Sequence, residues 1–178
     1  MSATESDGGH AVYDVGVIVV SDRGARGERE DECIPAVQKH LSGDQFRVAD
    51  SVVVPDDIPA IQSVLQKMID QEYSLVLTAG GTGCSPRDNT PEATLPLIEK
   101  RTPGIDEAIR AFSAQKSPHA AYSRGVSGIA GKSLIINLPG SPKAVGEILS
   151  YLKPTLGHPL RLISGEKIDC ASELPNYD

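Results

Sequence analysis

The sequence predicts a three-layer α/β/α fold in which helices cover both faces of a mostly parallel central sheet. Short apolar segments rich in β-branched residues recur along the chain, and each leads into a polar or glycine-rich segment. Stretches with apolar residues at helical spacing lie between them, as expected for βαβ units. Several of the apolar segments lack polar alternation, which is typical of strands that are buried on both faces of a parallel sheet.

The first predicted strand covers residues 14–20 (DVGVIVV), a β-branched run that ends before Ser21. Apolar residues at helical spacing then predict a helix over 33–41. A second strand is predicted over 46–54 (FRVADSVVV). Together these segments form the first βαβ unit of the expected sheet.

The clearest helix of the chain is predicted directly after the second strand. Asp56 or Asp57 is placed to cap it, and Pro59 lies in its first turn, where the missing N–H costs nothing. Ile61 and Leu65 belong to an apolar face at helical spacing. This helix is therefore expected to pack on the sheet.

Two further strands are predicted, over 74–78 (SLVLT) and over 132–138 (KSLIINL), and both lead into loops that contain glycine or proline. Thr90 and Pro91 mark the start of a helix after the first of these loops, with Thr90 as the cap. The segment 123–133 (SRGVSGIAGKS) combines cations with flexible glycines. It is either a segment that contacts a ligand or a solvated connection.

Length and composition limit the class of protein. At 178 residues, 39% hydrophobic and 23% charged, the chain fits one domain, which we expect over 13–168 with flexible tails over 1–12 and 169–178. The net charge of -7 argues against a nucleic-acid backbone as the main partner. Three widely separated cysteines favour neither disulfides nor a zinc site. No apolar run approaches the roughly 18 residues of a membrane span, so we expect a cytoplasmic protein.

A glycine-rich segment carries the main functional signal. It reads TAGGTG over 78–83, and its glycines allow the backbone to adopt positive φ and to approach a ligand closely. Exposed N–H groups in such a loop form an anion-binding nest, for which a phosphate is the natural guest. The spacing matches neither a Walker A motif nor the GxGxxG of dinucleotide folds.

Charged residues are expected at the same edge of the sheet. Arg87 offers a fork-shaped cation for phosphate, and the neighbouring Asp88 offers a carboxylate for a hydrated magnesium ion. Asp56 follows the second strand, where it either shares that metal with Asp88 or caps the next helix. The loops after the first and last strands add Ser21, Asp22, Gly140 and Ser141.

Four motifs, LTAGGTGCSPRDNTPEAT, VVSDR, VVPDD and NLPGSPKAV, resemble those of the Mog/MoaB family of molybdenum cofactor biosynthesis. The resemblance covers roughly residues 13–165 and extends to the G domain of gephyrin and of its plant counterpart. It implies the MogA/MoaB-like molybdopterin-binding fold. It also implies molybdopterin adenylyltransferase activity, in which AMP from Mg-ATP is joined to the terminal phosphate of molybdopterin and pyrophosphate is released.

The resemblance also implies which residues act. We predict that Asp56 and Asp88 are catalytic and hold Mg²⁺, directly or through water, while ATP and molybdopterin are the substrates. The residues expected to bind nucleotide or substrate phosphate are Ser21, Asp22, Thr78, Gly80, Gly81, Thr82, Gly83, Arg87, Gly140, Ser141 and Pro142. Ala79 stands where the family more often has a second threonine, a change that leaves the glycine nest intact.

Two other functions stay open. One is a non-catalytic, MoaB-type protein that holds the pterin or serves as a scaffold. The other is a flavodoxin-like protein, although 4% aromatic residues and no tryptophan leave few side chains to sandwich a flavin ring. The resemblance further implies a homotrimer, or a hexamer as in the MoaB branch, with other enzymes of molybdenum cofactor biosynthesis as candidate partners.

Overall fold

The computed structural model describes residues 12–41, 43 and 45–166. Its strands are β1 (Tyr13–Val20), β2 (Phe46–Val54), β3 (Leu75–Ala79), β4 (Lys100–Arg101), β5 (Ser127–Ala130) and β6 (Ser133–Leu138). They form one sheet in the order β2-β1-β3-β6-β5-β4. The first four strands of this order run parallel, and β5 and β4 join antiparallel. The predicted, mostly parallel sheet is therefore confirmed.

The described residues form six α-helices, of which the first five lie between strands and the last follows β6. They are α1 (Asp22–Ala25), α2 (Cys33–Leu41), α3 (Ile58–Asp70), α4 (Thr90–Thr94), α5 (Pro103–Ala114) and α6 (Pro142–Ile163). Short 3₁₀ turns follow α4 at Leu95–Leu97 and follow α5 at Pro118–Tyr122. Within the part of the chain that the structure describes, no helix is both long enough and apolar enough to cross a membrane.

Two hydrophobic clusters lie on opposite faces of the sheet. Because successive side chains of a strand point to opposite faces, Val17 of β1 joins one cluster and Ile18 joins the other. The first cluster includes residues of α2, α5 and α6, and the second includes residues of α3 and α4. Helices thus cover both faces, as the three-layer α/β/α prediction requires.

The strands predicted over 14–20, 46–54, 74–78 and 132–138 correspond to β1, β2, β3 and β6, with bounds that differ by at most one residue. The helix predicted over 33–41 is α2. The helix predicted after the second strand is α3, and the structure decides between its two candidate caps. Asp57 precedes α3, and its carboxylate accepts a hydrogen bond from the N–H of Ala60 at 3.1 Å. Asp56 is therefore available for another role.

The segment over 123–133 contains a strand that was not predicted. Residues of β5 pair antiparallel with β6 across a tight turn at Gly131, where φ is +55°. A four-residue run next to glycines carries little strand signal by itself, so its conformation depends on the neighbouring strand. Apart from residue 12, the tails predicted over 1–12 and 169–178 lie outside the described residues. The single domain over 13–168 stays a prediction.

Candidate functional site

The carboxyl ends of the four parallel strands meet at one edge of the sheet. Val20 at the end of β1 pairs with Val54 at the end of β2, and Ala79 at the end of β3 pairs with Leu138 at the end of β6. The predicted site loops follow these strands directly. Sheets of this kind bind ligands outside this edge, and the register therefore brings the candidate residues together.

Two glycines after β3 occupy backbone conformations that other residues avoid. At Gly80 φ is +108°, and a Cβ there would lie 2.3 Å from the carbonyl oxygen of Val20. At Gly81 φ is +63°, and a Cβ there would lie 2.3 Å from Oγ1 of Thr90. A side chain at either position would meet both backbone strain and steric overlap, so the path of the loop depends on glycine.

Thr90 holds the first half of this loop and does not cap its own helix. The helix α4 begins at Thr90, and Asn89 occupies the cap position without a side-chain cap bond. The buried hydroxyl of Thr90 donates to the carbonyl of Gly80 at 2.8 Å, and its N–H donates to the carbonyl of Gly81 at 3.0 Å. The prediction that Thr90 caps the helix is therefore wrong, because its hydroxyl is committed to the loop.

Arg124 holds the second half of the loop. Its backbone N–H donates to the carbonyl of Thr82 at 2.9 Å, and its Nε donates to the carbonyl of Gly83 at 2.6 Å. Its Nη2 donates to the carbonyl of Asp88 at 2.5 Å, and its Nη1 pairs with the carboxylate of Glu92. One half-buried side chain thus joins both ends of this part of the loop.

The N–H groups of the loop point away from these donors. In a trans peptide the C=O and N–H groups point in opposite directions, and the described residues contain no cis peptide bond. The carbonyls of 80–83 are all held by Thr90 or Arg124, so each N–H group of 81–84 points away from the donor that holds the preceding carbonyl. Within the described part of the chain, none of these N–H groups has a hydrogen-bond partner. Such a row of unpaired donors suits an anion.

Asp22 and Asp56 link the ends of β1 and β2 through two reciprocal hydrogen bonds. The N–H of Asp22 donates to Oδ2 of Asp56 at 2.9 Å, and the N–H of Asp56 donates to Oδ1 of Asp22 at 3.0 Å. Arg87 donates to both oxygens of Asp22, from Nε at 3.0 Å and from Nη2 at 2.8 Å. Since this bidentate pair uses the fork of the guanidinium, Arg87 fixes Asp22 in the described conformation.

The carboxylates of this group differ in their electrostatic surroundings. The hydrogen bond from Arg87 lowers the pKa of Asp22, and the N–H of Asp56 adds to that effect. Burial raises the pKa of Asp56, and the charges of Asp22 and Asp88 raise it further. The carboxylate of Asp56 therefore lies partly buried among like charges, a position in which a cation would be stabilised.

Asp88 and Asp56 border the same glycine loop. Oδ2 of Asp88 accepts from the N–H of Ser85 at 2.9 Å and lies 2.8 Å from the position that a Cβ at Gly83 would take. Oδ1 of Asp56 lies 3.1 Å from the position that a Cβ at Gly81 would take. The structure thus brings the two predicted acidic residues to one loop.

Two pockets meet at this loop. One has a volume of about 240 Å³ and extends from the ends of β1, β2 and β3 toward the start of α2. The other has a volume of about 630 Å³ and extends toward α5 and α6. Gly81, Asp88 and Gly140 line both pockets. Ligands in the two pockets would therefore approach each other beside the unpaired N–H groups.

The two pockets differ in charge. The smaller pocket is lined by acidic residues, namely Glu30, Asp31, Glu32, Asp56 and Asp88, with Arg29 as its cation. The larger pocket has an apolar wall that includes Ile109 and Ile148. Its basic residues Arg110, Lys116 and Lys143 outnumber its acidic residues Asp88 and Glu147. The larger pocket therefore suits a bulky ligand with a negative charge.

Most of the predicted site residues line one or both pockets. These are Ser21, Asp56, Gly80, Gly81, Thr82, Gly83, Asp88, Gly140, Ser141 and Pro142. Asp22 and Arg87 are not among the described residues that line either pocket, and they act on the site through Asp56. Thr78 is fully buried, and its Oγ1 accepts a hydrogen bond from Asn137 at 2.9 Å. The structure therefore places Thr78 beneath the loop and not at a pocket wall.

A buried polar network beneath the loop was missed by sequence reasoning. Nδ2 of Asn137 donates to Oγ1 of Thr78 at 2.9 Å and to Oγ1 of Thr94 at 3.1 Å, and Oδ1 of Asn137 accepts from the N–H of Val126 at 3.3 Å. Oγ1 of Thr94 donates to the carbonyl of Thr90 at 2.7 Å. The network thus connects β6 and β3 to the residue that holds the glycine loop. Its signal was an amide side chain within an apolar strand, since a buried amide requires partners.

Other functional residues were missed because they act across long sequence separations. Arg124 was noticed within 123–133 but left unassigned, and its contacts with the loop lie about forty positions away. The basic residues of the larger pocket lie on or near α5 and α6, for which no bounds were predicted. No local pattern identifies such residues before the elements are assembled.

The fold and this site define the class of protein. Residues 16–158 match the family model described as a probable molybdopterin binding domain, and the chain belongs to this family. The chain is similar to a molybdopterin adenylyltransferase of Haemophilus influenzae, with 37% identity over 92% of this chain and 91% of that protein. It is also similar to gephyrin of Dictyostelium discoideum, with 39% identity over 85% of this chain but 23% of that longer protein.

A solved structure supports the same assignment. The molybdopterin biosynthesis enzyme MoaB of Thermus thermophilus is 46% identical to this chain and superposes with a TM-score of 0.82. The match covers 89% of this chain and all of that one. The resemblance to the Mog/MoaB family and the predicted fold are both confirmed.

Proposed function

We propose that this protein is a molybdopterin adenylyltransferase. In this reaction an oxygen of the terminal phosphate of molybdopterin attacks the α-phosphorus of ATP, and the bond to pyrophosphate breaks. The observation that carries the proposal is the row of N–H groups over 81–84, which lack partners among the described residues. Gly81 lines both pockets, and Thr82 and Gly83 line the larger one. A reaction that joins two phosphorylated substrates needs such a common phosphate site. The name of the relative from Haemophilus influenzae supports it.

The chain contributes positioning and charge, because the attacking group belongs to a substrate. The loop N–H groups are placed to donate to phosphate oxygens, which bear the charge during phosphoryl transfer. The basic residues of the larger pocket, Arg110, Lys116 and Lys143, are placed to hold an anionic substrate. Arg87 does not need to contact phosphate, because its bidentate pair with Asp22 fixes the partner of Asp56.

Asp56 and Asp88 fit a magnesium ion that arrives with a nucleotide. Among the described residues, no group of three or more His, Cys, Asp or Glu side chains is placed to hold a metal ion. Mg²⁺ in nucleotide sites is commonly bound by one or two carboxylates together with water and substrate phosphates. The like charges around Asp56 favour a cation there. When bound, the ion neutralises charge on the phosphate groups.

The proposed function is tested by incubating the purified protein with molybdopterin, ATP and Mg²⁺. The amounts of adenylylated pterin and of released pyrophosphate are then measured. We expect Asp88→Asn to lower the rate by about 100-fold or more with an unchanged circular dichroism spectrum. Asp57→Asn is the matched control. Asp57 is an exposed helix cap next to Asp56, and asparagine also caps helices, so this variant should keep its activity.

The outcomes separate the candidate functions. Full adenylylation by Asp88→Asn would refute the catalytic role of Asp88. Pterin binding without product in the unmodified protein would favour the non-catalytic MoaB-type alternative. A flavin absorbance in the purified protein would favour the flavodoxin-like alternative.

Assembly and location form part of the same proposal. The family resemblance implies a homotrimer, with a hexamer as the alternative, and light scattering on the purified protein distinguishes the two masses. A cytoplasmic location suits an enzyme that uses ATP, and cell fractionation would test it.

A further inference from the structure

We propose that Arg124 is a positioning residue that orients the N–H groups of the glycine loop toward bound phosphate. This proposal rests on the proposed function for the identity of the substrates. Binding of a simple anion can nevertheless be measured without the adenylyl transfer reaction, so the two proposals can fail separately.

The hydrogen bonds of Arg124 act on the two peptide groups that flank Gly83. The carbonyl of Thr82 accepts from its backbone N–H at 2.9 Å, a bond that does not depend on the side chain. The carbonyl of Gly83 accepts from its Nε at 2.6 Å, and of these two bonds only this one is lost when the side chain is replaced. Since both peptides are trans, the N–H groups of Gly83 and Cys84 are turned away from Arg124. These are two of the N–H groups that lack partners among the described residues. Gly83 lines the larger pocket, and Cys84 is the next residue of the loop.

The peptide groups that flank Gly83 need such hydrogen bonds to keep their orientation. A glycine has no Cβ to restrict rotation, so either flanking peptide group could turn over at little energetic cost. A turned peptide would direct a carbonyl oxygen, and not an N–H group, toward the phosphate. The bond from Nε to the carbonyl of Gly83 opposes that rotation, and the bond from Nη2 to the carbonyl of Asp88 at 2.5 Å anchors the guanidinium at the far end of the loop.

Arg124 itself is not placed as a phosphate ligand. It is absent from the described residues that line either pocket. Its charge is already paired with the carboxylate of Glu92. The guanidinium can serve several acceptors at once because its donors have a rigid planar arrangement, whereas a lysine ammonium on a flexible stem cannot reproduce them. The variant Arg124→Lys therefore keeps the positive charge of the side chain but loses the planar set of donors that orients the loop.

The experiment measures binding of inorganic pyrophosphate by titration calorimetry in the unmodified protein, Arg124→Lys, Arg124→Gln and Glu92→Gln. Both Arg124 variants should weaken binding by about 10-fold or more, although Arg124→Lys keeps the charge. Glu92→Gln removes the ion pair but keeps the bonds from Arg124 to the carbonyls, so its affinity should stay within about 3-fold of the unmodified value. Thermal unfolding of each variant identifies any that fail to fold.

A second measurement follows the loop directly. Amide NMR signals of Gly83 and Cys84 should shift when pyrophosphate is added to the unmodified protein. In Arg124→Lys the signal of Cys84 should shift far less, because its peptide group loses the bond from Nε, whereas the peptide group of Gly83 keeps its bond to the backbone N–H of residue 124. In the adenylyl transfer assay, Arg124→Lys should lower kcat more than it raises KM for ATP, because misplaced donors weaken transition-state stabilisation most.

Three results would overturn the role of Arg124. They are unchanged pyrophosphate affinity in a folded Arg124→Lys variant, equal weakening by Glu92→Gln, and no binding of pyrophosphate by the unmodified protein. If the unmodified protein binds pyrophosphate but forms no adenylylated pterin, the proposed function fails, and the Arg124 variants still decide whether that residue positions the loop.

Discussion

Replacing Gly81 by alanine tests the packing on which the phosphate loop depends. The residue has φ +63°, and its new methyl group would lie 2.3 Å from Oγ1 of Thr90 and 3.1 Å from Oδ1 of Asp56. The hydroxyl of Thr90 would have to move, which breaks its buried hydrogen bond to the carbonyl of Gly80. The substitution therefore combines backbone strain with the loss of one buried hydrogen bond.

Each contribution of Gly81→Ala can be assigned a magnitude. An alanine in the left-handed region costs about 1 kcal/mol. The buried hydroxyl of Thr90 and the carbonyl of Gly80, which lose their hydrogen bond to each other, cost about 2 kcal/mol more. The free energy of unfolding should thus fall by about 3 kcal/mol, which for a chain of this size lowers the thermal midpoint by about 9 °C.

Gly131→Ala is the matched control for this measurement. Gly131 has φ +55°, and a Cβ there would make only an ordinary contact, at 3.8 Å from Cγ2 of Ile69. Its destabilisation should be about 1 kcal/mol, or about 3 °C, and its adenylyl transfer rate should be unchanged. If thermal unfolding gives equal losses for Gly81→Ala and Gly131→Ala, the close approach of Gly81 to Thr90 is refuted.

Two further predictions concern titratable groups. Burial raises the pKa of Asp56 above its ordinary value of 3.8, so its ionisation destabilises the fold progressively as the pH rises above that value. Asp56→Asn should therefore be more stable than the unmodified protein at about pH 7, and urea unfolding should show this gain shrinking toward about pH 4. Burial raises the pKa of the Cys33 thiol to about 11, whereas Cys84 is exposed. Iodoacetamide should alkylate Cys84 before Cys33, and peptide mass mapping that finds Cys33 modified before Cys84 would contradict this order.

The strands of the parallel sheet were predictable because burial on both faces leaves a local pattern of apolar, β-branched residues. The helix α3 was predictable for a similar reason, since its cap, proline and apolar face all lie within one short segment. The choice between Asp56 and Asp57 as its cap was not predictable. Both carboxylates have the same chemistry, and only the neighbouring loop shows that Asp56 is bonded to Asp22 while Asp57 caps the helix.

The strands β4 and β5 were not predicted because their stability comes from pairing. The first has two residues and the second has four, and each forms its hydrogen bonds with a neighbouring strand. Short segments of this kind carry little intrinsic preference, so their conformation is decided by the sheet that they join. The basic residues of the larger pocket were missed for a related reason, since they gather there only after α5 and α6 pack.

The sequence by itself determined where the loop needs glycine, which acidic residues follow the strands and which family the chain resembles. These properties are encoded in short segments, and short segments can be interpreted without knowledge of the rest of the chain. Only the tertiary structure decided which way the N–H groups of the loop point. That direction is set by hydrogen bonds from Thr90 and Arg124 to the carbonyls of the loop, and Arg124 reaches Gly83 across 41 positions of sequence. The folded chain is needed to bring those donors and acceptors together.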